Sequence, residues 1–151
     1  MIIKDDLIAR FVAYSPHVDP IALELAWDFA EKAHGNQARA SGDQYLTHCA
    51  AVADSLIEWR MDLPTVCAGL LHDTIEDTPT TEMQLRAEFG EEIAMLVIGV
   101  TKLDALKFES RDEAQAENWR KMLLATAQDI RVIVIKLADR LHNMKTLNFL
   151  K

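Results

Sequence analysis

The chain has 151 residues, half of them hydrophobic and 26% charged, with 16 basic against 24 acidic side chains and a net charge of −8. That length suits one domain with its own core, and the balance is that of a soluble globular chain. It excludes nucleic-acid binding through the overall field. No apolar run reaches the ~18 residues needed to span a bilayer. An anionic ligand would therefore need a metal cation or a few placed Arg and Lys side chains.

The first ten residues, MIIKDDLIAR, lack the basic start and small-residue cleavage site of a signal peptide. Asp19-Pro20 reads as an N-cap followed by proline in the first turn, opening a helix that runs to about His34-Gly35. GNQARASGDQ (35–44) holds two glycines and little apolar surface, so it reads as a loop. Residues 45–60 form the next helix, with Val52, Leu56 and Trp59 on its inner stripe. Asp62 and Pro64 restart a helix that carries Ala68, Leu71 and Ile75 and ends near Thr78-Pro79. Thr81 with Gln84 fits a capping box, and Gly90 stops that short helix. A helix over 91–103 follows, then the polar connection KFESRDEAQAEN. There Ser110 with Glu113 fits a second capping box, opening a helix to about Ala127.

The last segment, DIRVIVIKLADRLHNMKTL, has a β-branched start that could be a strand. Ile130, Val134, Leu137, Leu141 and Met144 nevertheless repeat at helical spacing across the whole stretch, which predicts a buried helix with that stripe. Trp27, Trp59 and Trp119 fall within helical patterns and read as core, as do the methionines. Cys49 and Cys67, the only cysteines, sit in apolar-periodic segments and read as reduced thiols of a cytoplasmic protein. The fold class is all-α, a bundle of seven to eight helices, with 1–151 as one domain.

One stretch carries a charge problem. In AGLLHDTIEDT (68–78), two leucines lead into His72 and Asp73, with Glu76 and Asp77 one turn on. On a continuous helix the pairs His72/Glu76 and Asp73/Asp77 share faces. Burying four ionisable groups without a partner is costly, and imidazole with carboxylate is a common ligand set for first-row metals. Two more candidates lie elsewhere: His48, with apolar neighbours in YLTHCAAVA, and Asp139, between Leu137 and Leu141. The plain alternatives are a hydrogen-bonded core histidine for His48 and a salt bridge from Asp139 to Lys136 or Arg140. Lys102 and Lys136 read as structural ion-pair donors.

The H…HD…D pattern resembles the HD-type metal-dependent phosphohydrolases. AHGNQARASGDQYLTH, LLHDTIEDTPTT, FGEEIAMLVIGVTKLDALKF, EAQAENWRKML and DIRVIVIKLADRLHNMKTL together look like the hydrolase domain of the RelA/SpoT family. The likeness runs from about residue 20 to 150 and is nearest the long, hydrolase-competent, SpoT-like branch. It implies an HD-domain fold and an Mn²⁺ ion held by His48, His72, Asp73 and Asp139, although the residues themselves suit Zn²⁺ or Fe²⁺ as well.

The likeness also implies removal of the 3′-pyrophosphate of ppGpp or pppGpp, the alarmones of the stringent response. Glu76 and Asp77 would be the acid/base and water-positioning pair. Arg39, Ser41, Asn143 and Thr146 would hold the guanine nucleotide. Carboxylates near a helix C-terminus oppose the macrodipole, which argues that Glu76 and Asp77 do more than end the helix. Two positions depart from the family pattern. Ala40 stands where a polar or basic residue is usual, and Cys49 where proline commonly follows the first ligand histidine. The family pattern also carries further helices after Lys151, then synthetase and regulatory domains, so the resemblance implies a hydrolase domain lacking its last helices. A generic HD phosphohydrolase and a non-catalytic regulatory module are the alternatives.

Overall fold

The computed structural model describes residues 1–40, 42, 44–105, 116–117, 119–120, 124 and 128–146. Eight helices are named within them: α1 (Lys4–Tyr14), α2 (Ile21–His34), α3 (Tyr45–Glu58), α4 (Leu63–Leu71), α5 (Thr74–Asp77), α6 (Glu82–Phe89), α7 (Glu91–Asp104) and α8 (Arg131–Lys145). No strand appears among the described residues, and the one β-type pairing there is an isolated bridge between Ala38 and Gln44. The all-α bundle is therefore as expected.

The hub is α4. Every residue from Thr65 to Leu71 is buried, as expected of a helix apolar on all sides. It packs against α2, α3, α7 and α8. Asp62 caps it by accepting the Thr65 backbone N–H at 3.1 Å, with proline in the first turn. Two glycines allow the close packing. A Cβ on Gly69 would lie 2.5 Å from Leu56 of α3, and one on Gly99 of α7 would lie 2.7 Å from Val132 of α8. The capping box at Thr81/Gln84 is present, and Gly90 ends α6 with φ of 86°. No element was expected before Asp19. Yet α1 buries Leu7 and Phe11 against the core, each burial stabilising by about 1.5–3 kcal/mol.

Three expectations need correction. The helix predicted from Asp62 through Thr78 is broken. His72 and Asp73 form a turn, Asp73 having φ −97° and ψ 0°, and α5 restarts after it. The Thr74 hydroxyl donates to the Leu71 carbonyl at 2.7 Å, satisfying an end of α4 that a continuous helix would not expose.

Second, the last segment is a helix, but the stripe assigned to its core faces outward. Ile130, Leu137, Leu141 and Met144 are exposed and only Val134 of that stripe packs partly against the core, while Val132, Ile135, Ala138 and Asp139 are buried. IRVIVI is apolar at nearly every position, so two stripes satisfy helical spacing and periodicity cannot choose between them. Third, of the tryptophans and methionines read as core, Trp27 is buried, but Trp59, Trp119, Met1, Met83, Met95 and Met144 are exposed. Trp59 is the C-cap of α3, next to the turn at Arg60, whose φ is 55°.

Cys49 and Cys67 are free and buried, as expected. The Ser110/Glu113 capping box lies outside the described residues. Ala116, Glu117, Trp119, Arg120 and Leu124 of the predicted helix are helical, as is Gln128 just after it.

Candidate metal centre

Three elements bring their polar residues to one point beneath an open cleft. α3 supplies His48, the α4–α5 turn supplies His72 and Asp73, and α8 supplies Asp139. His48, His72 and Asp139 are buried, at 2%, 0% and 5% exposure. The break after Leu71 matters here. It lets two consecutive side chains aim at the same place, which residues about 100° apart on a regular helix do less well.

Four atoms cluster: Nε2 of His48, Nε2 of His72, Oδ2 of Asp73 and Oδ1 of Asp139. His48 Nε2 lies 2.9 Å from Asp139 and 3.6 Å from Asp73, and His72 Nε2 lies 3.0 Å from Asp73 and 3.4 Å from Asp139. Ligand atoms about 2.1 Å from a shared cation lie about 3.0–3.4 Å apart in octahedral or tetrahedral arrangements.

Two further observations support a cation. Nδ1 of His72 sits 2.6 Å from the Gly69 carbonyl, to which it can only donate. In the neutral ring Nε2 then carries a lone pair, fully buried and without a hydrogen bond among the described residues, facing the Asp73 and Asp139 carboxylates at 3.0 and 3.4 Å, a contact that a shared cation would satisfy. The donor set of two imidazoles and two carboxylates fits a divalent transition metal. His48, His72 and Asp139 form a group that could hold a metal ion, and Asp73 shares a second such group with His72 and Cys49.

Without the cation, charge is balanced locally. Burial disfavours a charged His72, but Asp73 and Asp139 outweigh it and raise its pKa. Burial likewise opposes ionisation of Asp139 and Asp73, yet the histidines hold both carboxylates below their usual range, Lys136 helping at Asp139. Burial keeps His48 below its ordinary value. Asp139 divides its oxygens. Oδ1 faces the histidines, while Oδ2 accepts from Lys136 Nζ at 3.0 Å. The ion pair read as the plain alternative for Asp139 is thus present beside the cluster, not instead of it.

Above the cluster lies a cleft of about 350 Å³ bordered by Arg39, Tyr45, Glu76, Asp77, Asp104, Lys136, Arg140 and Asn143. Glu76 and Asp77 end the short α5 and are exposed. Burial of part of each carboxyl and the neighbouring carboxylates raise both pKa values, with Asp104 and Asp73 acting on Glu76 and Asp73 on Asp77. A raised carboxyl pKa suits proton transfer near neutrality. Gln37 fixes this end by donating to the Asp77 carbonyl at 2.9 Å.

Arg39 reaches across from the 35–44 loop to α8, donating to Asn143 Oδ1 at 2.5 Å. Asn143 in turn donates to Asp139 Oδ1 at 3.3 Å. Thr146 behaves differently. Its hydroxyl bonds back to the His142 and Asn143 carbonyls at 3.3 and 3.1 Å, at the end of α8, and it does not border the cleft. Ser41 lies outside the described residues.

The sequence pattern did not single out three residues that the fold brings here. Asp104, at the end of α7, pairs with Lys136 and comes close to Asp73 and Glu76. Tyr45 borders the cleft. His142 lies against His48, their Nδ1 atoms 2.6 Å apart. Its pKa is pushed down to about 4 by burial, His48 and Arg39. A histidine three residues past Asp139 returns to the same helical face, a signal that was available.

An all-α bundle with a His, His-Asp, Asp cluster at its centre defines a class. The chain belongs to the HD domain family, whose model matches residues 26–151. More particularly, it is 50% identical over all 151 residues to the bifunctional (p)ppGpp synthase/hydrolase SpoT of Escherichia coli K12, covering 22% of that protein. It is 57% identical over 122 residues, 81% of this chain and 18% of the relative, to the guanosine-3′,5′-bis(diphosphate) 3′-pyrophosphohydrolase of Haemophilus influenzae. The chain spans about a fifth of the length of these curated relatives. Among solved structures it is similar to a metazoan orthologue of SpoT described as hydrolysing ppGpp. The TM-score is 0.67 at 28% identity, over 83% of this chain and 69% of that one. No described helix is long and apolar enough to cross a membrane.

Proposed function

We propose that this chain is an Mn²⁺-dependent pyrophosphohydrolase that removes the 3′-pyrophosphate of ppGpp or pppGpp, returning GDP or GTP, in the cytoplasm during the stringent response. The observation that carries the reading is the cluster of four ligand atoms from His48, His72, Asp73 and Asp139 below an acidic pair and a basic rim. The names of the relatives supply the substrate: a guanine nucleotide bearing two diphosphates. Neither nucleic acid nor a membrane is a partner in this reading.

The bound metal would polarise phosphoryl oxygens and lower the pKa of a coordinated water. The protein's own groups do the rest. Glu76 and Asp77 face the cleft with raised pKa values, so a carboxylate there can take a proton from the attacking water and return it to the leaving oxygen. Arg39, Lys136 and Arg140 border the same space and offset the phosphates, with the planar Arg39 fork suited to paired phosphate contact. Asn143, tied to both Arg39 and Asp139, holds the nucleotide side in register with the metal side. Ser41 and Thr146 complete the nucleotide-holding set by family resemblance.

The test is release of pyrophosphate from ppGpp with Mn²⁺ present, comparing wild type with Asp73→Ala, beside deoxynucleotide and cyclic-nucleotide substrates. Turnover of ppGpp by wild type, lost in an Asp73→Ala chain with unchanged circular dichroism, is expected. Preference for another nucleotide would make this a generic HD phosphohydrolase. Absence of both bound metal and turnover would make it a regulatory module.

A further inference from the structure

His142 is assigned to neither the ligand cluster nor the acidic pair, yet it touches the cluster. His48 has two ring nitrogens with different surroundings. Nε2 faces Asp139 and Asp73 at 2.9 and 3.6 Å. Nδ1 faces Nδ1 of His142 at 2.6 Å, with the ring centroids 4.9 Å apart. Two imidazole nitrogens at that distance require one proton between them: one donates and the other accepts.

A third group decides the direction. The Arg39 guanidinium, which can only donate, places Nη1 3.3 Å from the same Nδ1 of His142. A proton on His142 Nδ1 would point into that cation, so this nitrogen is the acceptor. His142 therefore carries its proton on Nε2, and His48 carries its own on Nδ1. That tautomer turns the His48 Nε2 lone pair toward Asp139 Oδ1 at 2.9 Å, a contact between two acceptors that a shared cation would relieve.

We infer that His142 is a positioning residue for the metal centre: its Nδ1 holds the proton of His48 on the far side of the ring and so presents His48 Nε2 to a divalent cation. The inference rests on the metal reading given above. Hydrogen-bonded partners of ligand histidines fix ring orientation and basicity in this way, and removing them typically weakens metal binding about 10–100-fold. The geometry has a further consequence. Arg39 and His48 compete for one lone pair, so drawing Arg39 toward a substrate phosphate leaves His142 wholly to His48, linking the loop to the cluster.

The test is the Mn²⁺ dissociation constant, measured by titration calorimetry or by the electron paramagnetic resonance signal of free Mn²⁺. Wild type is compared with His142→Leu, which cannot accept a hydrogen bond, and His142→Asn, whose Oδ1 stands near the position of Nδ1 and can accept. The expected result is about 10–100-fold weaker binding in H142L and binding within a few-fold of wild type in H142N. As a check that needs no variant, ¹⁵N shifts of the Cd²⁺-loaded wild type should show His142 protonated on Nε2.

Unchanged Mn²⁺ binding in H142L, equal weakening in both variants, or a protonated His142 Nδ1 would each overturn the assignment while leaving the metal reading intact. A wild type that binds no divalent metal would overturn both.

Discussion

The floor and the rim of the cleft are built differently. The floor consists of His48, His72 and Asp139, all buried, with His48 and Asp139 inside α3 and α8 and His72 in the turn that ends α4, next to Asp73. Its atoms are fixed by tertiary packing: Gly69 lets α4 approach α3, and Gly99 lets α7 approach α8. The rim consists of Arg39 on a loop, Glu76 and Asp77 on a single turn, and Asn143 near a helix end. Glu76 and Asp77 are exposed, and Arg39 and Asn143 are half-buried, with Arg39 engaged with α8. The difference assigns tasks. A group that must hold a cation at fixed distances belongs in a rigid, dehydrated floor. Groups that meet a changing substrate belong where reorientation is cheap.

Rim substitutions should therefore spare the metal and damage the chemistry. Replacing Glu76 by Gln is expected to lower kcat about 10²–10⁴-fold, the usual worth of a positioned acid or base, with Mn²⁺ stoichiometry unchanged by elemental analysis. Loss of the metal along with activity would move Glu76 into the floor.

The floor should reveal itself by titration. The pKa of His72 is raised, because the attraction of Asp73 and Asp139 exceeds the burial penalty. In the metal-free chain His72 therefore keeps its proton up to a pH above its ordinary 6.5, and the cation must displace that proton. Mn²⁺ affinity is expected to rise about tenfold per pH unit through neutrality, then level off above the pKa of His72. Stability of the metal-free chain has the opposite sign. The contribution of a raised histidine is complete below the unfolded pKa and is lost as pH climbs through the folded one. A pH-independent affinity between pH 6 and 8 would remove His72 from the ligand set.

The smallest effect is expected at Arg39. Arg39→Ala should raise KM for ppGpp about tenfold while changing kcat little, as when an interaction of equal strength in the ground and transition states is removed. Mn²⁺ affinity should not fall. Steady-state kinetics at saturating metal checks it, and an equal fall in kcat and kcat/KM would show that Arg39 acts on the transition state instead.

Legibility followed the same division. His48, His72, Asp73 and Asp139 stood out because each places a polar group in an apolar run, a local anomaly visible without any fold. Glu76 and Asp77 were visible by proximity to them. His142 offered only its spacing from Asp139, because a histidine near a helix end, next to asparagine, looks like ordinary surface until α3 is laid against it. Asp104 was hidden for the same reason, being one carboxylate at the end of a long apolar helix.

From its sequence alone this chain specified helices, most of their boundaries and the candidate site residues, since propensity, capping and burial cost act within a few residues. Tertiary structure alone decided which stripe of α8 turned inward, and that choice aims Asp139 and Asn143. It also broke the helix at His72–Asp73, exposed Trp59, and set His142 and Arg39 around His48. Those outcomes depend on contacts between residues as many as 104 positions apart, where the winning arrangement is the one that satisfies buried polar atoms and packing together, and no local pattern carries that sum.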